Sequence, residues 1–221
     1  MSTAGSGARR APSTALDGEV GHTRAVRNWV LVSAAAAPVA LIGGWTLAQT
    51  RQSAGFDPVT DTISALAARG ADDRWIMTVG LFVLGVCHLV TAAGLTEAAP
   101  AGRILLALGG AATVVVAASP QPAAAHIPAA AVSFGALALW PAFSGLPDRR
   151  SGIIATTVML VLLGWLGDEL RDGNQLGLSE RLLAGFQALW PLLVALVIVR
   201  SRRRVQSDGH RGTPATRAAG L

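Results

Sequence analysis

The sequence predicts an all-α membrane protein: six transmembrane helices in a compact bundle, N-in/C-in, with a short amphipathic surface helix between spans 1 and 2. Three observations carry this expectation. Hydrophobic residues make up 52% of the chain and charged residues only 14%, with a mean hydropathy of +0.48, a balance that calls for a bilayer as solvent. Six apolar runs approach the roughly 17–25 residues needed to cross a hydrocarbon core about 30 Å thick. The basic residues, all of them arginine, are distributed unevenly between the two sides of the runs, which is the positive-inside signal.

Taken in order, residues 1–27 are rich in Ser, Thr, Ala and Gly with Arg9, Arg10, Arg24 and Arg27, and are expected to form a disordered cytoplasmic tail. The first apolar run, Trp29–Thr50, is expected to remain as a permanent helix. The charged region before it is long, no small-x-small site closes it near Ala48-Gln49-Thr50, and Arg9-Arg10 lacks an apolar follow-on. The further runs are Trp75–Leu95, Arg103–Ser119, Ala125–Phe143, Gly152–Gly167 and Leu182–Val199, the third and fifth being near the short limit. Residues 28–200 thus form one six-helix domain, and residues 201–221 a basic disordered tail on the cytoplasmic side.

With both tails inside, the cytoplasmic face collects the tail arginines with Arg103, Arg149, Arg150 and Arg200, while only Arg51, Arg69, Arg74, Arg171 and Arg181 face outward. Asp57, Asp61, Asp72, Asp73, Asp168, Glu169, Asp172 and Glu180 all fall on that outer face. The expected location is the cell inner membrane, multi-pass. Trp29, Trp75, Trp140 and Trp165 sit near helix ends, where an amphipathic indole prefers the headgroup level. Small residues such as Gly43-Gly44 and Gly109-Gly110 let helix backbones approach, so the bundle should be compact. Pro38, Pro128, Pro141 and Pro191 are tolerable because neighbouring helices can satisfy freed carbonyls. No motif is shared between the two halves, and the matched interrupted helices of an inverted-repeat transporter are absent.

The polar insert Gly55–Trp75 stands out. Asp57 suits an N-cap, Pro58 a first helical position, Arg69 a last turn and Gly70 a stop, which predicts a helix over Pro58–Arg69. Val59, Ile63, Leu66 and Ala67 then share one face, and Thr60, Asp61 and Ser64 another. Such a helix would lie as a lid on the outer surface, its apolar side in the bilayer or on the bundle.

The run DPVTDTISALAARGADDRWIMTVGLFVLGVCHLVTAAGL, the SPQP turn followed by His126, and GLSERLLAGFQALWP before the last helix occur in this order. Together they resemble the bacterial DUF998 integral membrane proteins, over about Trp29–Arg200. The resemblance implies six helices and an outer location for the polar elements, and it supplies no substrate.

The chemistry must come from polar side chains on the outer face. Asp61, Ser64, His126, Asp168, Glu169, Glu180 and Arg181 arise from four regions of the chain. Half-buried ionisable groups cost several kcal/mol unless paired. An ion-pair network of Arg181 with Asp168, Glu169 or Asp61, with Glu180 alongside, is therefore expected to pin the surface helix over the mouth of the bundle. The catalytic candidates are Asp61, Ser64, His126, Glu169 and Glu180, since carboxylates with a histidine can do acid–base work. Ser64 is a nucleophile candidate without an adjacent histidine.

His88 lies thirteen residues into the second span, about 20 Å deeper than its outer end, too far to share a metal with His126. It is expected to be an internally hydrogen-bonded packing residue. Cys87 has no disulfide partner, and H-E-x-x-H, G-x-S-x-G, C-x-x-C and phosphate-loop patterns are all missing. No metal and no cofactor are predicted. The net charge of +5 is explained by span-flanking arginines, so membrane lipids rather than nucleic acid are the expected partners. The run Arg200–Arg204 anchors the last helix and can attract anionic lipid. The favoured reading is a protein binding a lipid or small amphiphile at an outward-facing polar pocket. A lipid-directed enzyme using the outer carboxylates and His126 comes next, and a small transporter last.

Overall fold

The structure, a computed structural model, describes residues 14–211, with side chains described for residues 28–201. Six helices follow in order: α1 (Thr14–Gln49), α2 (Trp75–Gly94), α3 (Pro100–Ala118), α4 (His126–Ser144), α5 (Arg149–Asp172) and α6 (Leu176–Arg211). No strand occurs among the described residues. All six helices contain a stretch long and apolar enough to cross a membrane. The outward-facing side chains include Val32, Val39, Phe82, Ile104, Ile127 and Val161, an apolar surface that suits lipid and not water. The chain is a multi-pass membrane protein.

The fifth span is 24 residues rather than short. The Asp148 carboxylate caps its start, accepting from Ser151 N (3.0 Å) and Ser151 Oγ (2.7 Å). Those hydrogen bonds hold the Asp148 carboxyl below its ordinary range. Gly173, with φ of 72°, ends the helix and donates to Glu169 O (2.7 Å). The charged residues at both ends concealed these turns from an apolar-run reading. Helices α1 and α6 continue as helix to Thr14 and Arg211, past the limits assigned to the tails. The rest of the expected tails, residues 1–13 and 212–221, lies outside the described residues.

Consecutive helices pack side by side, most extensively α1–α2, α2–α3 and α3–α4, and α6 closes the ring against α1. Lipid offers no hydrophobic drive between helices, so close backbone approach supplies the dispersion contacts. At the α2–α3 crossing a Cβ on Gly85 would stand 2.7 Å from Gly110 O, and one on Gly110 would stand 2.8 Å from Gly85 O. Only glycine fits on either side. Hydrogen bonds between hydroxyls bridge two further pairs, Ser33 to Thr91 (2.8 Å) between α1 and α2, and Thr113 to Ser133 (2.7 Å) between α3 and α4. The up-and-down order brings residues 50–74, the α3–α4 turn and the α5–α6 turn to one end of the bundle, here called the acidic end. Arg103, Arg149, Arg150 and Arg200 mark the opposite, arginine end.

The helix expected over Pro58–Arg69 is not formed. In its place are a turn at Asp57–Asp61 and a single 3-10 turn, Ser64–Ala67. The cause is competition for backbone groups. An α-helix would need the carbonyls of Pro58, Val59 and Asp61 for the N–H groups four residues on. Arg181 Nη1 donates instead to Pro58 O (2.9 Å) and Asp61 O (2.7 Å), and Leu178 N donates to Val59 O (2.9 Å). Ile63 N donates to the Glu180 carboxylate. The local signals still act where they fall: Asp57 Oδ1 accepts from Val59 N (2.8 Å), and Gly70 turns the chain with φ of 98°. Ile63, Leu66 and Ala67 are buried against α1 and α2, so the apolar face of the segment sits on the bundle.

Candidate functional site at the acidic end

Glu180 organises the site. It lies in the first turns of α6, is 6% exposed, and accepts from Ile63 N–H and from the Ser64 hydroxyl (3.1 Å). Gly177, one turn earlier, makes this seating possible. A Cβ there would collide with Asp61 O and stand 2.7 Å from Pro58 O, so any larger residue would lift the segment off α6.

His126 opens α4 and is 2% exposed. Its Nδ1 lies 2.8 Å from Ser119 O. A carbonyl only accepts, so Nδ1 carries the hydrogen, and Nε2 of the neutral ring is an acceptor. That Nε2 is buried and has no hydrogen-bond partner. A buried acceptor left unpaired costs about 1–3 kcal/mol.

Ser64, His126 and Glu180 line one cavity of about 210 Å³. Thr62 and Gln121 complete its polar end, while Ile127 and Phe134 of α4 and Leu163 and Leu170 of α5 build its apolar walls. A second chamber of about 50 Å³ lies deeper and is lined by His88, Thr113, Ser133 and Gln187. Ser64, Ala130, Phe134 and Glu180 belong to both, so the two spaces share a wall.

The other candidates lie apart. The Asp61 carboxylate accepts from Asp57 N (2.8 Å) within its own turn, and only its backbone carbonyl meets Arg181. Asp168 pairs with Arg171 (3.7 Å) on an exposed surface. Glu169 accepts from Trp165 Nε1 (3.1 Å) and from Gln175 N (2.7 Å), closing the α5–α6 turn.

The expected ion-pair network around Arg181 is thus replaced by carbonyl contacts. Its Nη1 donates to Pro58 O, Asp61 O and Gly177 O (3.0 Å), and its guanidinium lies over the Phe56 ring, 5.9 Å from the centroid. Backbone oxygens of the turn and of the helix start lie nearer to the guanidinium than any carboxylate does. His88, expected to be hydrogen bonded, has no partner on either ring nitrogen.

Sequence reasoning missed Thr62, Gln121 and Gln187. Gln187 carried a usable signal, an amide inside an apolar run, and its Nε2 donates to Phe134 O (2.9 Å) across to α4. Among the described residues no group of three or more His, Cys, Asp or Glu side chains is placed to hold a metal ion.

The arrangement offers an apolar slot with hydrogen-bonding groups at one end. No curated protein and no solved structure matches the chain significantly. A family model described as "Protein of unknown function (DUF998)" matches residues 34–197, from the first span to the last. The chain, with six apolar helices under that match, belongs to the DUF998 family.

Proposed function

We propose that this protein binds a membrane amphiphile in the acidic-end cavity, with an apolar chain along α4 and α5 and a headgroup at His126. The observation carrying this reading is a cavity with apolar walls whose polar end is lined by His126, a residue whose Nε2 is buried and unpartnered. Its volume of about 210 Å³ is below the roughly 300–1,000 Å³ usual for a whole drug-sized ligand. It therefore takes one end of a longer molecule whose remainder lies along lipid-facing α5.

Headgroup chemistry follows from the free valences. Glu180 already receives Ile63 N–H and the Ser64 hydroxyl, and Nε2 seeks a donor. A hydroxyl or amine headgroup fits; a phosphate, which accepts, does not. The arginine distribution supports placing the acidic end outward, in the cell inner membrane with both termini cytoplasmic. Labelling from outside should reach Ser53→Cys and not Asp208→Cys in a Cys87→Ser background; the reverse pattern refutes the orientation.

Native mass spectrometry of the purified protein tests the binding itself. Monooleoylglycerol should be retained in preference to oleoyl lysophosphatidic acid, and Leu163→Trp should cut that retention about tenfold. Equal retention by the wild type and Leu163→Trp refutes the site. A second reading, a lipid-directed enzyme, is favoured by Ser64, His126 and Glu180 lining one cavity. In it His126 Nε2 would activate water, since the Ser64 hydroxyl is engaged by Glu180. Cleavage of a retained acyl ester, lost in His126→Ala, would establish it.

A further inference from the structure

We propose that the deeper chamber is filled with water admitted from the acidic end alone, and that His88, deep within the second span, exchanges its proton through that water. The inference does not rest on amphiphile binding; it needs only that the outer cavity admit water when it is empty.

His88 is 1% exposed, and neither ring nitrogen has a partner in the protein. A neutral imidazole always presents one donor and one acceptor. Leaving both unpaired in a hydrocarbon-like interior costs several kcal/mol, so the ring requires partners that the side chains do not provide. The chamber it lines supplies the place for them. Its walls carry polar groups of Thr113, Ser133, Gln187, Ser64 and Glu180, and its volume is about 50 Å³. One water needs about 10–15 Å³ by this measure and two to four polar neighbours, so a chain of about three to five waters fits.

Access is one-sided. Toward the acidic end the chamber shares Ser64 and Glu180 with the outer cavity. Toward the arginine end, one turn beyond His88, Thr91 and Ser33 bond to each other (2.8 Å). Beyond them Ala92, Leu95, Leu106, Trp140 and Val194 form a buried apolar cluster.

The titratable surroundings are sparse. Within its span α1 presents none, and α3 presents only Arg103, which donates to Ala92 O and Ala93 O at the arginine end; α4 presents His126 to the outer cavity, and α6 presents Glu180 to the chamber and Arg181 to the carbonyls of residues 58–61. Cys87 is in the apolar cluster of α1 and α2, and Asp57 and Asp61 keep their carboxylates on the backbone of their own turn. Among the described residues, a proton from solvent therefore passes His126 in the outer cavity and Glu180 at the shared wall before the His88 imidazole accepts it, with the charge moving inward by one water at a time.

The test uses the full chain in lipid nanodiscs with nitrogen-15 in its histidine rings and indoles. Magnetisation transfer from water should reach His88 about as fast as His126, and several-fold faster than the Trp140 indole. That N–H is also buried and unpartnered but belongs to the apolar cluster. If His88 builds up as slowly as Trp140, the chamber is dry and the proposal fails. Sidedness is read with silver ion, a water-sized thiol reagent, on Ala184→Cys in a Cys87→Ala background, in sealed vesicles of either orientation. Silver should block the thiol at least tenfold faster from the acidic end. Equal rates from both sides, or no reaction from either, overturn the one-sided route.

Discussion

Helices α2 and α3 meet backbone to backbone at Gly85 and Gly110, whereas two glycines of α5, Gly164 and Gly167, face open space. Helix α5 is nonetheless fixed at its arginine end. There a Cβ on Gly152 would stand 2.5 Å from Pro141 O, and Thr156 Oγ1 accepts from Ala142 N (3.0 Å). Toward the acidic end it parts from α4, and the cavity lined by Ser64, His126 and Glu180 occupies the opening. The same residue type thus serves two ends: glycine pressed against backbone locks a seam, and glycine beside a void keeps one open. Rigidity on one side of the ring is what allows looseness on the other.

This contrast can be broken from either side. The largest effect is expected for Gly110→Val, which drives a branched side chain into Gly85 O and the His88 Cβ. Overpacking of that kind costs about 3 kcal/mol, and denaturation in mild detergent should show a large loss of stability. Gly177→Ala comes next, because it lifts residues 58–64 from α6; the Ile63 amide should exchange with deuterium at least tenfold faster while the α2–α3 amides stay protected. Glu180→Ala leaves Ile63 N–H buried and unpaired, a loss of about 1–3 kcal/mol, measurable by the same denaturation. Gly167→Leu fills cavity space at a site with open surroundings, so stability should change by about 0.5 kcal/mol or less while amphiphile retention falls. Asp168→Asn, which removes an exposed pair, should change stability by less than about 0.5 kcal/mol. Were Gly167→Leu as damaging as Gly110→Val, the distinction between the locked and open seams would be wrong.

The six spans were legible because hydrophobic runs report directly on the solvent around them. The ends of α5 were not, since Arg149, Arg150, Asp168 and Asp172 are charged and the caps that mark them, Asp148 and Gly173, carry no hydropathy. In the polar insert, Asp57 and Gly70 act locally as their chemistry dictates. The helix between them is lost to donors and acceptors on α6, which no window of neighbouring residues contains. Charge matching misled at Arg181 for a related reason: from sequence the carboxylates are visible as partners, and the carbonyls of a turn are not. Ser64, His126 and Glu180 could be singled out because polar groups are scarce here, but their common cavity depends on how far α5 diverges, a property of packing.

The clasp between residues 58–64 and α6 joins positions 116 to 123 apart in the chain. During synthesis at about 5–20 residues per second, the insert waits about 6–25 s for its partners to be made. Until the sixth helix enters the membrane, Ile63 N–H and the carbonyls of Pro58, Val59 and Asp61 lack their partners on α6, and the nascent protein carries loose backbone at its acidic end. Seating that segment is then the last event of biogenesis, and a truncated product ending before Leu176 would keep those unpaired backbone groups in view of membrane quality control.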